Sequence, residues 1–240
     1  MAFVFVNGQT NKKKNSKPSS SSSNDNALFY VIENDGVKSG IIGLSLQSST
    51  GTTKVYSMKS YVDIFKDSLN RCKPAENVLL KKYSTPLVNY LNSAFSFGET
   101  PSDVYVENST FPFCFISKNG GLCFVEGGIF NKYSLNTLKL NADERASHIV
   151  KSVIMPSLAN FKPLLEIKEI KYFVLDVGYL AKDFSEEYSG DGELTSIVIS
   201  RELLIKYVNA EITDSDVFKS ALFYNINKNM GIDVRKISIN

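Results

Sequence analysis

Four acidic side chains are the first candidates for chemistry. Asp176 sits in the apolar run FVLDVG, and Asp183, Asp191 and Glu193 follow in or beside an acidic, glycine-containing stretch. A strand-borne carboxylate followed by glycine, with more carboxylates nearby, suits hydrolysis by a Mg²⁺ ion held on oxygen ligands. A metal-dependent hydrolase centred on Asp176 needs a second carboxylate within about 4–6 Å, the range over which charges share a site. None is evident on another strand, so the sequence assigns no metal ligand.

Other chemistries lack their motifs. Nothing reads Gly-x-Ser-x-Gly, and the Ser48–Thr52 stretch lacks the Gly-Lys-Ser/Thr ending of a phosphate loop. Gly36, Gly40 and Gly43 do not make a dinucleotide fingerprint. His148, the one histidine, falls off the apolar stripe of its predicted helix, beside Glu144, Arg145 and Lys151, and is expected to face solvent. Cys72, Cys114 and Cys123 are odd in number and irregularly spaced, so reduced thiols are expected rather than a disulfide framework or a zinc site. No catalytic residue and no cofactor is assigned.

Binding chemistry has two candidates. Phe113, Phe115 and Phe124 alternate onto one face of a predicted hairpin and could stack on bases. Lys12, Lys13, Lys14 and Lys17 near the N-terminus could contact phosphates. Together they suggest a single-stranded nucleic-acid binder. The predicted order over 103–158, antiparallel strands and then a helix, resembles that of Whirly and PC4-like modules, without shared motif residues. Charge weighs against this reading. The chain carries 27 basic and 25 acidic residues; residues 1–26 hold four of the former and one of the latter, leaving 23 against 24 in the body. A near-neutral body does not bind nucleic acid mainly by charge, and phenylalanines without interleaved Arg or Lys usually pack in a core.

The second candidate is the N-terminus itself. Met1–Val6 is apolar and β-prone, and Phe3, Val4, Phe5 and Val6 can form an added strand. It is too short, and lacks the basic start, for a signal peptide. Residues 7–26 are low-complexity, rich in Ser, Lys and Asn, and read as a flexible tether. About 20 such residues reach roughly 25 Å. The leading expectation is a non-enzymatic assembly or interaction protein whose arm docks on a neighbouring subunit. A viral (phage) structural or accessory component is one setting for it. The expected partner is protein, with nucleic acid reached only through the tail. No membrane is expected, and the cytoplasm is the expected compartment.

The positioning elements follow from periodicity and punctuation. Phe111–Gly128 is the strongest signal: two apolar runs flank Asn119-Gly120, a pair suited to a two-residue hairpin loop. That register sets Phe115 against Phe124 and Ile116 against Cys123. Strands are also expected at 27–32, 40–46, 54–58, 103–107, 133–140, 168–180, 195–199 and 231–239. Helices are expected to start near Ser60, Pro74 and Thr85. Others are capped at Asn141 (with Glu144), Ser200, and Thr213 (with Asp216). The fold class is α+β, a mixed and mostly antiparallel sheet with packed helices and a flexible N-terminal arm. Residues 27–98 form a smaller lobe and 99–240 a larger one, or the two are continuous.

Overall fold

A computed structural model describes residues 27–34, 37–45, 53–57, 78–94, 102–107, 113–118, 121–185, 191–227 and 233–239. The expected arm, Phe3–Val6, and the tail lysines Lys12, Lys13, Lys14 and Lys17 lie outside them, as does the helix expected from Ser60.

Strands β1 (Ala27–Asn34) and β2 (Val37–Ser45) form a two-stranded antiparallel sheet. A second sheet holds β3 (Thr53–Ser57), β4 (Ser102–Glu107), β5 (Phe113–Lys118), β6 (Gly121–Asn136), β7 (Ile170–Lys182), β8 (Asp191–Ser200), β9 (Leu222–Asn227) and β10 (Asp233–Ile237). Its order is β10-β9-β8-β7-β6-β4-β3, with β5 also beside β6. Only the β6–β7 pairing is parallel; the others are antiparallel, as the α+β reading requires. The β3–β4 pairing joins strands from either side of the boundary expected near Gly98–Ser102.

The hairpin register is the predicted one. Phe115 pairs with Phe124, Ile116 with Cys123, and Lys118 with Gly121. β6 then departs from expectation. A separate strand was expected at 133–140. Instead β6 runs on to Asn136 and is 16 residues long. The glycines mark a bulge, where the register shifts between Glu126 and Ile129. A bulge bends a strand without ending it.

Parallel neighbours need a long crossover, and a helical run supplies it. Helix α3 (Ala142–Ile149) starts at Asn141, whose side chain accepts from the Asp143 and Glu144 amides while Glu144 accepts from the Asn141 amide. The run widens into a π turn at Val150–Ile154 before Pro156. There Met155 N–H reaches back to the Val150 carbonyl. A wider turn accommodates a ring that would clash with the carbonyl four residues back. The run ends as a 3₁₀ segment, Leu158–Glu166. Helices α1 (Val78–Lys82), α2 (Ser84–Ala94), α4 (Arg201–Val208) and α5 (Asp214–Ser220) complete the helical layer. The cap of α4 at Ser200 and the Thr213–Asp216 box of α5 are as expected.

The main core lies between this layer and one face of the large sheet. Leu87, Leu91, Ile149, Ile154, Leu158 and Leu204 meet Phe124, Phe173, Leu175, Ile197, Ile199 and Phe223. One correction concerns β9. Leu222 was expected to continue the core face of the preceding helix, but α5 stops at Ser220 and Leu222 begins a strand. Alternation in LFYNIN decided the outcome once β8 offered a paired edge.

Candidate functional site

Phe124 is a core residue, not a stacking platform. It has no exposure. Its ring meets Tyr90, Phe161, Phe173 and Phe115 at centroid distances of 5.7, 6.0, 6.3 and 5.5 Å. Phe115 is half-buried and also touches Tyr83 at 5.6 Å. Tyr90 and Phe161 stack in parallel, 5.2 Å apart. Edge-to-face and offset contacts of this kind add to plain burial. The side chain of Phe113 lies outside the described set.

Of the acidic residues of the sequence reading, Asp176, Asp183 and Glu193 do not converge, and the side chain of Asp191 lies outside the described set. Asp183 is half-buried and accepts hydrogen bonds from the amide and hydroxyl of Ser185, which hold its carboxyl below the usual range. Glu193 was expected in a solvated loop, but lies within β8 and is buried. There it takes a two-pronged ion pair from Arg145, with Nη2 on Oε1 and Nε on Oε2 at 3.0 Å. Tyr179 donates to the same carboxylate at 2.8 Å, and the Arg145 Nη1 group donates to the Leu140 carbonyl at 2.6 Å. Arg145 was grouped with His148 on the exposed side of its helix. His148 is indeed exposed, whereas Arg145 turns under the first turn of α3 onto the sheet. This cluster ties α3 to β7 and β8, and every charge in it has a partner.

Asp176 stands on the opposite face of β7. Alternation places Phe173, Leu175, Val177 and Tyr179 towards the helices, and Val174 and Asp176 away from them. Asp176 has no exposure and pairs across the ladder with Ser196, whose hydroxyl donates to Oδ1. Buried valines flank the pair: Val125 on β6, Val174 on β7 and Val198 on β8.

A second carboxyl comes from a residue the sequence reading passed over. Glu126 closes the apolar run LCFVE at the start of the β6 bulge and is also without exposure. Asp176 lies across from that bulge, since the β6–β7 pairing steps from Glu126–Leu175 to Ile129–Val177. Two residues of β7 thus span three of β6, and neither Gly127 nor Gly128 pairs with β7. The signal for Glu126 was present: a lone charge closes an apolar run next to Gly-Gly, where the strand is bulged.

The electrostatics of the pair are extreme. Burial pushes the Asp176 carboxyl up to about 7, against the opposing pull of the Ser196 hydrogen bond. Burial, and then the nearby Asp176 charge, raise Glu126 well above the ordinary carboxylate range. Both Glu126 oxygens and Asp176 Oδ2 lack a hydrogen-bond partner among the described residues. The β6–β7 register sets Glu126 beside Leu175, on the helix-facing side of the sheet, whereas Asp176 faces the other way. Neither group is open to a substrate, because both are fully enclosed.

Among the described residues, no three His, Cys, Asp or Glu side chains gather as metal ligands. No helix among them is long and apolar enough to cross a membrane. An open groove of about 740 Å³ lies among α2, the 3₁₀ segment and α4, lined by Asn89, Asn160, Lys162, Glu166, Ile205 and Asn209 among others. The polar groups that line it are the amides of Asn89, Asn160 and Asn209, Lys162, Glu166 and the Ser93 hydroxyl, which donates to the Asn89 carbonyl. No protein-family model, curated protein or solved structure matches this chain.

Proposed function

We propose that the chain is a non-enzymatic interaction protein that assembles by strand addition, an edge of its large sheet receiving the apolar N-terminal segment of a neighbouring copy. The observation that supports this most is the sheet edge at β10. β10 pairs with β9 on one side, and among the described residues no strand lies on the other. Such an edge presents main-chain donors and acceptors that another chain can satisfy. β10 spans five residues, a match for the apolar stretch of Met1–Val6. Ile237 and Ile239 are buried in the main core, so an added strand would extend a face that is already apolar. Phe3 and Phe5 would fall together on one face of that strand, with Val4 and Val6 on the other.

The edge also carries exposed Arg235 and Lys236. Charges of this kind discourage indiscriminate pairing between sheets. A tethered strand overcomes them, because the tether holds it at an effective concentration in the millimolar range. Polar residues 7–26 provide such a tether.

Deleting residues 1–26 is expected to reduce the solution mass from an oligomer to a single chain, as read by light scattering after gel filtration. Phe3→Asp with Phe5→Asp should do the same. Neutralising Lys12, Lys13, Lys14 and Lys17 should leave the mass unchanged. If the truncated and full-length chains have the same oligomeric state, strand addition is not how this protein assembles.

A further inference from the structure

We infer that the groove among α2, the 3₁₀ segment and α4 binds an extended, uncharged stretch of a partner polypeptide. The inference does not depend on strand addition.

Shape comes first. The groove measures about 740 Å³, within the usual range for ligand sites of roughly 300–1,000 Å³. It is open rather than enclosed. A small molecule is held by being surrounded, whereas an extended chain can lie in an open groove and be held along its main chain. The walls are set before anything binds. Tyr90 of α2 stacks on Phe161 of the 3₁₀ segment at 5.2 Å, and both rings are buried. Arg201, at the start of α4, donates through Nη2 to the carbonyl of Leu165, a lining residue, at 2.7 Å. These contacts join the 3₁₀ segment to both helices.

The lining decides the ligand class. A carboxamide carries donors and an acceptor, as a peptide unit does, so an asparagine can bond both groups of a main chain. Three asparagines line this groove: Asn89 on α2, Asn160 on the 3₁₀ segment and Asn209 at the end of α4. The Asn160 Nδ2 group is enclosed and has no hydrogen-bond partner among the described residues. An enclosed donor in that state is costly. A carbonyl of an incoming chain can satisfy it once the side chain turns towards the groove. Half-buried Leu165, Ile205 and Val208 offer an apolar surface suited to an aliphatic side chain. Lys162 and Glu166 carry opposite charges, so the lining as a whole favours neither an anion nor a cation. None of the described lining residues is aromatic, so a nucleobase would find nothing to stack on.

The test pans the full chain against a displayed library of short linear peptides, then titrates the enriched peptides, made synthetically, by calorimetry. Peptides with an aliphatic residue among uncharged neighbours are expected, with micromolar Kd. Asn160→Ala should weaken them about tenfold, the effect of one lost hydrogen bond. Asn89→Trp puts a bulky ring at an exposed position of the lining and should abolish binding with Tm unchanged. Should Asn160→Ala not fold, the Asn89→Trp comparison decides alone. Peptides that bind Asn89→Trp as tightly as wild type overturn the proposal by placing the contact on another surface. So does a library that yields no binder, or one that yields only charged or helix-forming sequences. A synthetic Met1–Val6 peptide that displaces the selected ones would seat the chain's own N-terminus in the groove, and overturns the partner reading as well.

Discussion

Replacing Asp176 by Asn is expected to stabilise the protein at pH 8 and to do little at pH 4. The sign follows from burial. The folded-state carboxyl titrates at about 7, against an ordinary value of 3.8. The folded chain thus holds this proton more tightly than the unfolded chain does. Stability from Asp176 is complete below about pH 4, declines as pH rises towards 7, and is flat above that. A shift of about three units corresponds to something on the order of 4 kcal/mol at the alkaline limit. The amide introduced by Asp176→Asn cannot ionise but keeps an oxygen for the Ser196 hydroxyl, so the variant should lack this part of the slope. Glu126 shifts in the same direction, and Glu126→Gln should flatten what remains. Urea unfolding at pH 4, 6 and 8 reads the effect. Parallel curves for wild type and Asp176→Asn across that range would mean that the carboxyl is solvated and the pair is not enclosed.

The opposite behaviour is expected at the other buried acid. Glu193→Ala should cost about 3–5 kcal/mol, the usual range when one member of a buried ion pair is removed. It strands the Arg145 guanidinium and removes the acceptor of the Tyr179 hydroxyl. Arg145→Ala should cost a similar amount by leaving Glu193 charged and enclosed. The Arg145→Met, Glu193→Leu double variant should cost less than either single change, because no isolated charge is left behind. Denaturant midpoints at neutral pH, read with their slopes, check this ordering. Additive losses would show that the two side chains act independently. Glu193 is buried with a cation, whereas the Asp176 and Glu126 carboxyls are buried without one.

Local rules made much of the fold legible. Asn119-Gly120 between two apolar runs set the β5–β6 register residue by residue. The Asn141–Glu144 and Thr213–Asp216 spacings located two helix starts, because capping depends on residues within one turn. The failures came where a distant partner overrode a local preference. A separate strand was expected at 133–140, yet pairing with β7 on either side of Gly127-Gly128 carries β6 through the glycines as a bulge. Leu222 read as the last residue on a helix's core face, yet β8 presents an edge that pulls Leu222–Asn227 into the sheet. Arg145 lies beside acidic and basic neighbours in sequence, and only the crossing of α3 over β8 brings it to Glu193.

The candidate site was half legible. FVLDVG marked Asp176, because a carboxylate inside a strand-like apolar run is costly without a reason. Its hydrogen-bond partner Ser196 is 20 residues away in sequence, and only the strand order of the sheet brings the two together. The aromatic reading shows the same limit. Alternation correctly put Phe115 and Phe124 on one face, but could not say that α2 and the 3₁₀ segment would cover it with Tyr90 and Phe161.

Hydrogen exchange at the β10 amides tests strand addition most directly. In the full-length chain, the amides of Asp233–Ile237 that face away from β9 should exchange slowly, because a strand from a neighbouring copy covers them. In the chain lacking residues 1–26 the same amides should exchange at the rate of open backbone, while those bonded to β9 stay protected. Equal exchange at the outward amides in both chains would contradict the account.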